Sequence, residues 1–286
     1  MTMMTFSMLT LNLHAYQEGK QAGDTIAARI RSNVPLFDRI AAAITGLDVD
    51  VICLQEVAEW RGEPETVPYG LADSNAARRI QQRLSGYHLM QDWSHYAWET
   101  WREGTAILSK WPLYRTDSRY VTRSHAKTWW KSRNIVMAQV EKPGIGAVNL
   151  FSVHMGWWDD ADEPFQAQFN ALAAWADEAD DGAAATFLCG DFNIGAAGAG
   201  YDYVIAQGYA DQYLQANPGG MRDPTIGSRI DGWEGNQADG QRIDYIFMKQ
   251  GGRLAVQSAQ IVFTESRYGR VSDHAGVYAV FTRDQR

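Results

Sequence analysis

The sequence predicts a layered α+β fold, and three observations point to it. Apolar runs of about four to eight residues recur along the chain and read as buried strands. Helical periodicity is confined to three stretches in the early and middle parts. Strand signals dominate the end. Such a mixture suits sheets packed on each other with helices outside. No Pro/Gly/Ser linker or composition break divides the 286 residues, so 1–286 is expected to form one domain.

Taken in order, strands are expected near 6–12, 49–54, 87–91, 104–109, 133–140, 146–153, 185–190, 243–248, 256–263 and 275–282. Helices are expected over 25–45, 73–84 and 162–178. In the last, Phe165, Phe169, Leu172 and Ala176 share one face, and Asp162 with Pro164 marks a start. The Gly-rich stretches 195–203 and 217–220 read as loops.

Several of these runs end on a polar residue: LTLN at Asn12, DVICLQE at Glu56, NLFSVH at His154, and TFLCGDFN at Asp191 and Asn193. RIDYIF carries Asp244, and SDHAGVYAVF begins with Asp273 and His274. A charge at a buried strand's end is costly unless it is paired or binds something. Repetition along one chain points to a polar site across a sheet edge. Asn12, Glu56 and Asp273 are hard oxygen ligands of the kind magnesium prefers, and there is no Cys/His cluster at zinc spacing. Asp191 and Asn193, two apart, point the same way if that run is extended. Asp244 is the expected partner of His274, and Glu103 in WREGTAILSK that of His154. The set suits attack of water on a phosphorus ester.

The motifs LN, QEV, EGTAILS, SVH, GDFN, RIDYIF and SDH resemble the endonuclease/exonuclease/phosphatase superfamily, which includes DNase I, neutral sphingomyelinases and inositol polyphosphate 5-phosphatases. The resemblance runs from Asn12 to His274 in the family's order. It implies a four-layer αββα sandwich of two packed mixed sheets, and a divalent metal, usually Mg2+ with Mn2+ as a substitute. By matched position Asn12, Glu56 and Asp273 would approach the metal, Asp191 and Asn193 the water and phosphate, and Arg133 would be a strand arginine near the substrate. LNLHAYQE, EGTAILSK, the Trp pair after His154 and IDGWEGN (230–236) look most like the maltose 6′-phosphate phosphatase branch. The implied activity is a metal-dependent phosphomonoesterase acting on a sugar phosphate or similar small metabolite. A phosphodiesterase of the sphingomyelinase or nuclease kind is the alternative, and a non-catalytic binding protein of the same fold a third.

A net charge of −8 argues against holding duplex DNA by phosphate neutralisation. Aromatic clusters at 98–101, 128–130 and 156–158 suggest a flat wall, with Trp129, Trp130, Trp157 and Trp158 as its candidates, although core packing is the common use of tryptophan. Lys127, Lys131, Arg133 and Arg123 surround one cluster and are candidates for local positive charge. Cys53 and Cys189 fall in buried strands and read as structural thiols, a disulfide between neighbouring strands being the alternative. No signal peptide or membrane-length apolar run is evident, so a cytoplasmic protein without a membrane partner is expected. The oligomeric state is left open.

Overall fold

A computed structural model describes residues 4–62, 73–227 and 240–284. In chain order the elements are β1 (Thr5–Asn12), α1 (Ile26–Gly46), β2 (Val51–Trp60), α2 (Ala76–Gln81), β3 (His88–Ala97), β4 (Trp101–Ser109), β5 (Tyr114–Tyr120) and β6 (Asn134–Lys142). There follow β7 (Gly146–His154), α3 (Phe165–Ala179), β8 (Ala185–Asp191), α4 (Ala199–Ala206), β9 (Tyr209–Asp211), α5 (Gln212–Ala216), β10 (Asp244–Lys249), β11 (Leu254–Val262) and β12 (Gly276–Arg283). The strands form two mixed six-stranded sheets, ordered β11-β12-β1-β2-β4-β3 and β5-β6-β7-β8-β10-β9.

Side-chain alternation along each strand assigns one face to the facing sheet and the other to a helix layer. Phe6 and Met8 of β1, Val51 and Cys53 of β2, and Ile107 of β4 meet Val148 and Leu150 of β7, Phe187 and Cys189 of β8, and Ile246 of β10 between the sheets. On the outer face of the first sheet, Leu9, Leu11, Ile52 and Leu54 pack under Ile30, Phe37, Ile40 and Ile44 of α1 and Ile80 of α2. Beyond the second sheet, Phe151, Val153, Leu188 and Phe247 receive Phe165, Phe169, Leu172 and Trp175 of α3. The order of layers is therefore helix, sheet, sheet, helix, as the motif resemblance implies.

Two helix starts are fixed by side-chain caps: Thr25 Oγ1 accepts from Ala28 N (3.2 Å) and Asn75 Oδ1 from Arg78 N (2.9 Å). Cys53 and Cys189 are buried free thiols that meet across the two sheets rather than between neighbouring strands. No described helix is long and apolar enough to cross a membrane.

The structure departs from the sequence reading at identifiable places. The loop expected over 195–203 becomes helix α4 from Ala199, because Gly200 lets its backbone lie against Ile194 and Trp158. A Cβ there would sit 2.6 Å from Ile194. Strand β5, YRTDSRY, lacks apolar alternation because it is a sheet edge whose Arg119 pairs with Asp117 and Glu178. Strand β9 is short. The IDGWEGN segment, with Trp233, lies outside the described residues.

Candidate active site

The inward-facing rows that fill the space between the sheets end in polar residues at one edge of the sandwich. Phe6 and Met8 lead along β1 to Asn12; Phe187 and Cys189 lead to Asp191; Val148 and Leu150 lead to His154. Ile246 traces back along β10 to Asp244, and Ile107 along β4 to Glu103. Strands of one direction contribute their C-terminal ends and their antiparallel neighbours contribute N-terminal ends, so all arrive at the same edge. Register completes the alignment: His154 lies opposite Asp191, and Asp191 opposite Asp244, in one row across three strands.

Gly190, within β8, lets the strand pass close against β7 just before Asp191. Its φ is +151°, and a Cβ would fall 1.9 Å from the Val153 carbonyl oxygen, which no side chain tolerates. Glu56 reaches the site differently. The β2–β4 register shifts between Leu54 and Val57, and Glu56 takes a left-handed φ of 45° in that bulge. Asn193 is not in an extended run with Asp191. Its φ is +53°, its N–H donates to Asp191 Oδ1 (2.8 Å), and its amide Nδ2 donates to the Met155 carbonyl (2.9 Å).

Asn12 ties the two sheets together. Its amide Nδ2 donates to Glu56 Oε1 (2.9 Å) and to Asp191 Oδ2 (3.1 Å), while Oδ1 accepts from His14 N (3.0 Å). Its nitrogen rather than its oxygen faces the carboxylates, so offering oxygen to a cation requires the amide to turn over and release His14. His274 Nδ1 lies 2.9 Å from Asp244 Oδ2, the expected pair, and His274 Nε2 lies 3.8 Å from Asp191 Oδ2. Burial works against charge on His274, but Asp244, Asp191 and Asp273 outweigh it and hold the imidazole's pKa well above its usual value. Burial pushes Asp191 up to about 7, with His274 opposing and Asp244 adding to the rise. His154 goes the other way, far below its usual range, through burial and the nearby Arg133, His95 and His274.

Glu103 does not pair with His154. Its Oε1 lies 3.4 Å from His95 Nε2, because the β3–β4 register sets His95 opposite Glu103. The carboxylate within reach of His154 is instead Asp191, at 3.8 Å. Arg133 is buried, hydrogen-bonded to the Trp130 and Ser132 carbonyls (2.9 and 3.3 Å), and lies 5.9 Å from the Trp157 ring. Lys131 is absorbed by Asp160 and Asp162 (2.7 Å each), and Lys127 by the Trp93 carbonyl, so Arg133 supplies the cationic lining among the described residues.

These groups line a cavity of about 530 Å³, within the usual range for small-molecule sites. Glu56, Asp191, Asn193, Asp273, His154 and His274 form one part of its wall, with Glu103, His95, Arg133, Trp98, Trp130 and Trp157 in the rest. Trp130 and Trp157 stand 5.6 Å apart. Trp158 is not part of this wall: it packs against Phe165 and Tyr203 beneath α4. Trp129 does not line the cavity either. His14 and His95 were not singled out from sequence. The motif around His14 shows a His–x3–Glu spacing that hints at it, whereas His95 gave no signal before its register with Glu103 was known.

Donor atoms suited to a cation cluster in three places among the described residues: Glu56 with His154 and Asp191; Asp191 with Asp244 and His274; and His14 with Glu18 and Asp273. Within each, the atoms lie within 4.8 Å of one another. Asp244 Oδ1 is buried without a hydrogen-bond partner among the described residues. The carboxylates of Glu56 and Asp191 suit a hard divalent ion, whereas Asp273, expected beside Glu56, groups with Glu18 and His14 instead.

Carboxylates for a hard cation, imidazoles and one buried arginine for an oxyanion, all at the mouth of two packed sheets, suit phosphoester hydrolysis. The chain belongs to the Endonuclease/Exonuclease/phosphatase family, whose model matches residues 9–274. Enzymes of this family hydrolyse phosphoesters and generally depend on a divalent metal. Its fold is shared with an endonuclease/exonuclease/phosphatase family protein from Leptotrichia buccalis, with 24% identity, TM-score 0.77, and 96% and 98% of the two chains covered. A second, from Beutenbergia cavernae, gives 19% identity, TM-score 0.68, and coverage of 98% and 72%. TDP2 of D. rerio, complexed with single strand DNA product, gives 15% identity, TM-score 0.65, and coverage of 97% and 99%. No curated protein matches by sequence.

Proposed function

We propose that the protein is a magnesium-dependent phosphomonoesterase acting on a phosphorylated sugar or a similar small metabolite. The observation that carries this reading is the cavity: about 530 Å³, acids and imidazoles on one part of its wall, a buried arginine and aromatic rings on the rest. That volume accommodates a small phosphate ester, and aromatic faces suit the C–H face of a sugar. The likeness of LNLHAYQE and EGTAILSK to the maltose 6′-phosphate phosphatase branch supports the same substrate class.

Asp191, with a pKa of about 7, is suited to take a proton from the attacking water near neutral pH. His274, kept cationic by Asp244, faces Asp191 Oδ2 and stabilises negative charge that develops beside it. Neutral His154 and Arg133 offer donors to phosphoryl oxygens. A divalent ion held among the carboxylates of Glu56 and Asp191 would neutralise charge on the transferring group. Asn193 holds Asp191 through its backbone N–H and lines the same cavity.

The test is inorganic phosphate release from a panel of sugar 6-phosphates and 1-phosphates, with magnesium and then with EDTA, and Asp191→Asn in parallel. Metal-dependent release from one or two sugars, lost in the variant, is expected. Silence across the panel would overturn the monoesterase reading. Diester hydrolysis is the second reading, favoured by the fold shared with the DNA-bound TDP2. The net charge of −8 weighs against a long nucleic-acid substrate.

A further inference from the structure

The order of strands along the edge divides the cavity into two ends. In the first sheet, Asn12 (β1) and Glu56 (β2) precede Glu103 (β4) and His95 (β3), each one strand further out. In the second, Asp244 (β10), Asp191 (β8) and His154 (β7) precede Arg133, which enters β6. Neighbouring strands are about 4.8 Å apart, so His95 lies roughly 10 Å beyond the strand of Glu56. With phosphate at Asp191 and His274, the alcohol of the ester extends toward β3, β4 and β6, where Trp98, Trp130 and Trp157 also stand.

At that end His95 and Glu103 form a buried pair whose protonation follows from its contacts. His95 Nδ1 lies 3.1 Å from the Ser132 carbonyl oxygen, which can only accept, so Nδ1 carries the proton. In a neutral ring Nε2 is then a lone pair, and it faces Glu103 Oε1 at 3.4 Å. A carboxyl oxygen meets a lone pair favourably only when it bears hydrogen. The competing arrangement, imidazolium against carboxylate, would place one further cation and one further anion beside Arg133 in a buried wall. Burial disfavours it on both sides: it raises Glu103 well above the usual carboxylate range, with Glu56 adding to the rise and Arg133 only partly opposing it, and burial with Arg133 lowers His95 to about 3. The pair is neutral, a carboxylic acid held 3.4 Å from an imidazole that is itself anchored to the backbone.

We propose that His95 and Glu103, a neutral pair in close contact, hydrogen-bond a hydroxyl of the leaving alcohol, selecting phosphate esters of polyhydroxylated alcohols over those of apolar ones. The inference rests on the phosphomonoesterase reading above and adds the residues that set its specificity. With its hydrogen turned toward His95 Nε2, the acid's other oxygen accepts a hydrogen bond from a hydroxyl without attracting a cation or repelling the phosphate at the other end of the cavity. Sites built to hydrogen-bond a substrate hydroxyl discriminate strongly against analogues lacking it, because their own buried polar groups are then left unpaired.

The experiment compares kcat/KM for a panel of sugar 6-phosphates with kcat/KM for phenyl phosphate, under magnesium, in wild type, Glu103→Gln, Glu103→Leu and His95→Asn. Thermal melts establish that each variant is folded. In wild type the sugar-to-phenyl ratio is high. Glu103→Leu and His95→Asn, the latter too short to reach Glu103, lower the ratio at least tenfold. Glu103→Gln, neutral and able to both donate and accept, keeps it within about threefold. If Glu103→Leu does not fold, the contrast between His95→Asn and Glu103→Gln decides in the same way. An unchanged ratio in the disrupting variants, or a Gln variant that loses as much as they do, overturns the proposal. Wild type that cleaves phenyl phosphate but no sugar phosphate overturns it too, while leaving the monoesterase reading in place. Wild type that cleaves neither ester removes both.

Discussion

Asn12→Asp is the sharpest test of how the site is assembled. It replaces the amide nitrogen that donates to Glu56 (2.9 Å) and Asp191 (3.1 Å) with an oxygen, turning two hydrogen bonds into two close carboxylate contacts. Two unit charges at that separation repel by ~5 kcal/mol at an effective dielectric of about 20. The protein escapes the full cost by protonating the new acid, which at pH 7 takes ~4 kcal/mol for a group of pKa near 4. Losing one hydrogen bond to a charged partner adds ~1.5–3 kcal/mol. A loss of ~5.5–7 kcal/mol corresponds to a Tm lowered by roughly 10–25 °C in a protein of this size. The new carboxyl's folded pKa is raised above its unfolded value. The destabilisation is therefore absent below the unfolded pKa, near 4, and grows as pH rises through that value toward the folded pKa. Thermal unfolding of variant and wild type in EDTA at pH 7 and pH 5 reads both features. Adding magnesium should raise the variant's Tm by more than the wild type's, because binding to the folded state alone stabilises it and relieves the repulsion. Equal melting temperatures in EDTA at pH 7, or a deficit that ignores pH, would show that Asn12 does not stand between the two acids.

The other expectations are simpler to read. Asp191→Asn and His274→Ala should each lower turnover by roughly 10²–10⁴ in proteins that still fold, with the melt of His274→Ala lowered because Asp244 loses its partner, and near-normal activity in both would refute their roles. Turnover should vanish in EDTA and return with Mg2+ or Mn2+, measured as phosphate release; activity that survives exhaustive chelation contradicts the metal assignment. Trp98→Ala should raise KM for the active sugar phosphate by roughly three- to tenfold with a smaller change in kcat, as removal of one aromatic face predicts. Trp101, fully buried and stacked on Tyr16 at 4.8 Å, belongs to the core instead, so Trp101→Ala should cost ~3–5 kcal/mol in denaturant unfolding.

What was legible in the sequence was whatever strand periodicity dictates. Asn12, His154, Asp191 and Asp244 continue apolar rows of even spacing, so a reader of the chain can see them arrive at an edge. Glu56 stands in its motif, but the bulge that aims it leaves no trace in the residue pattern. Asn193 was expected to share Asp191's face by extension, whereas a left-handed turn and two hydrogen bonds place it. The His95–Glu103 contact depends on the register of two strands with a bulge between them, which local propensity does not encode. Strand β5 was missed for its polarity, and α4 was hidden behind glycines that serve close packing. Trp158 and Trp157 are adjacent in sequence, yet one is partly buried against Tyr203 of α4 and the other faces the cavity.

The bond from Asn12 to Asp191 joins side chains 179 positions apart, one from each sheet. Catalytic competence is consequently a property of the docked sandwich, and neither sheet carries a working fragment of it. An intermediate with both sheets formed but not yet seated would have native secondary structure and no activity, so recovery of turnover during refolding reports the final docking step. The same geometry makes any ligand at this mouth a clasp between two halves of the molecule. Its binding free energy should appear as slower hydrogen exchange deep in β1 and β8 together, far from the atoms it touches.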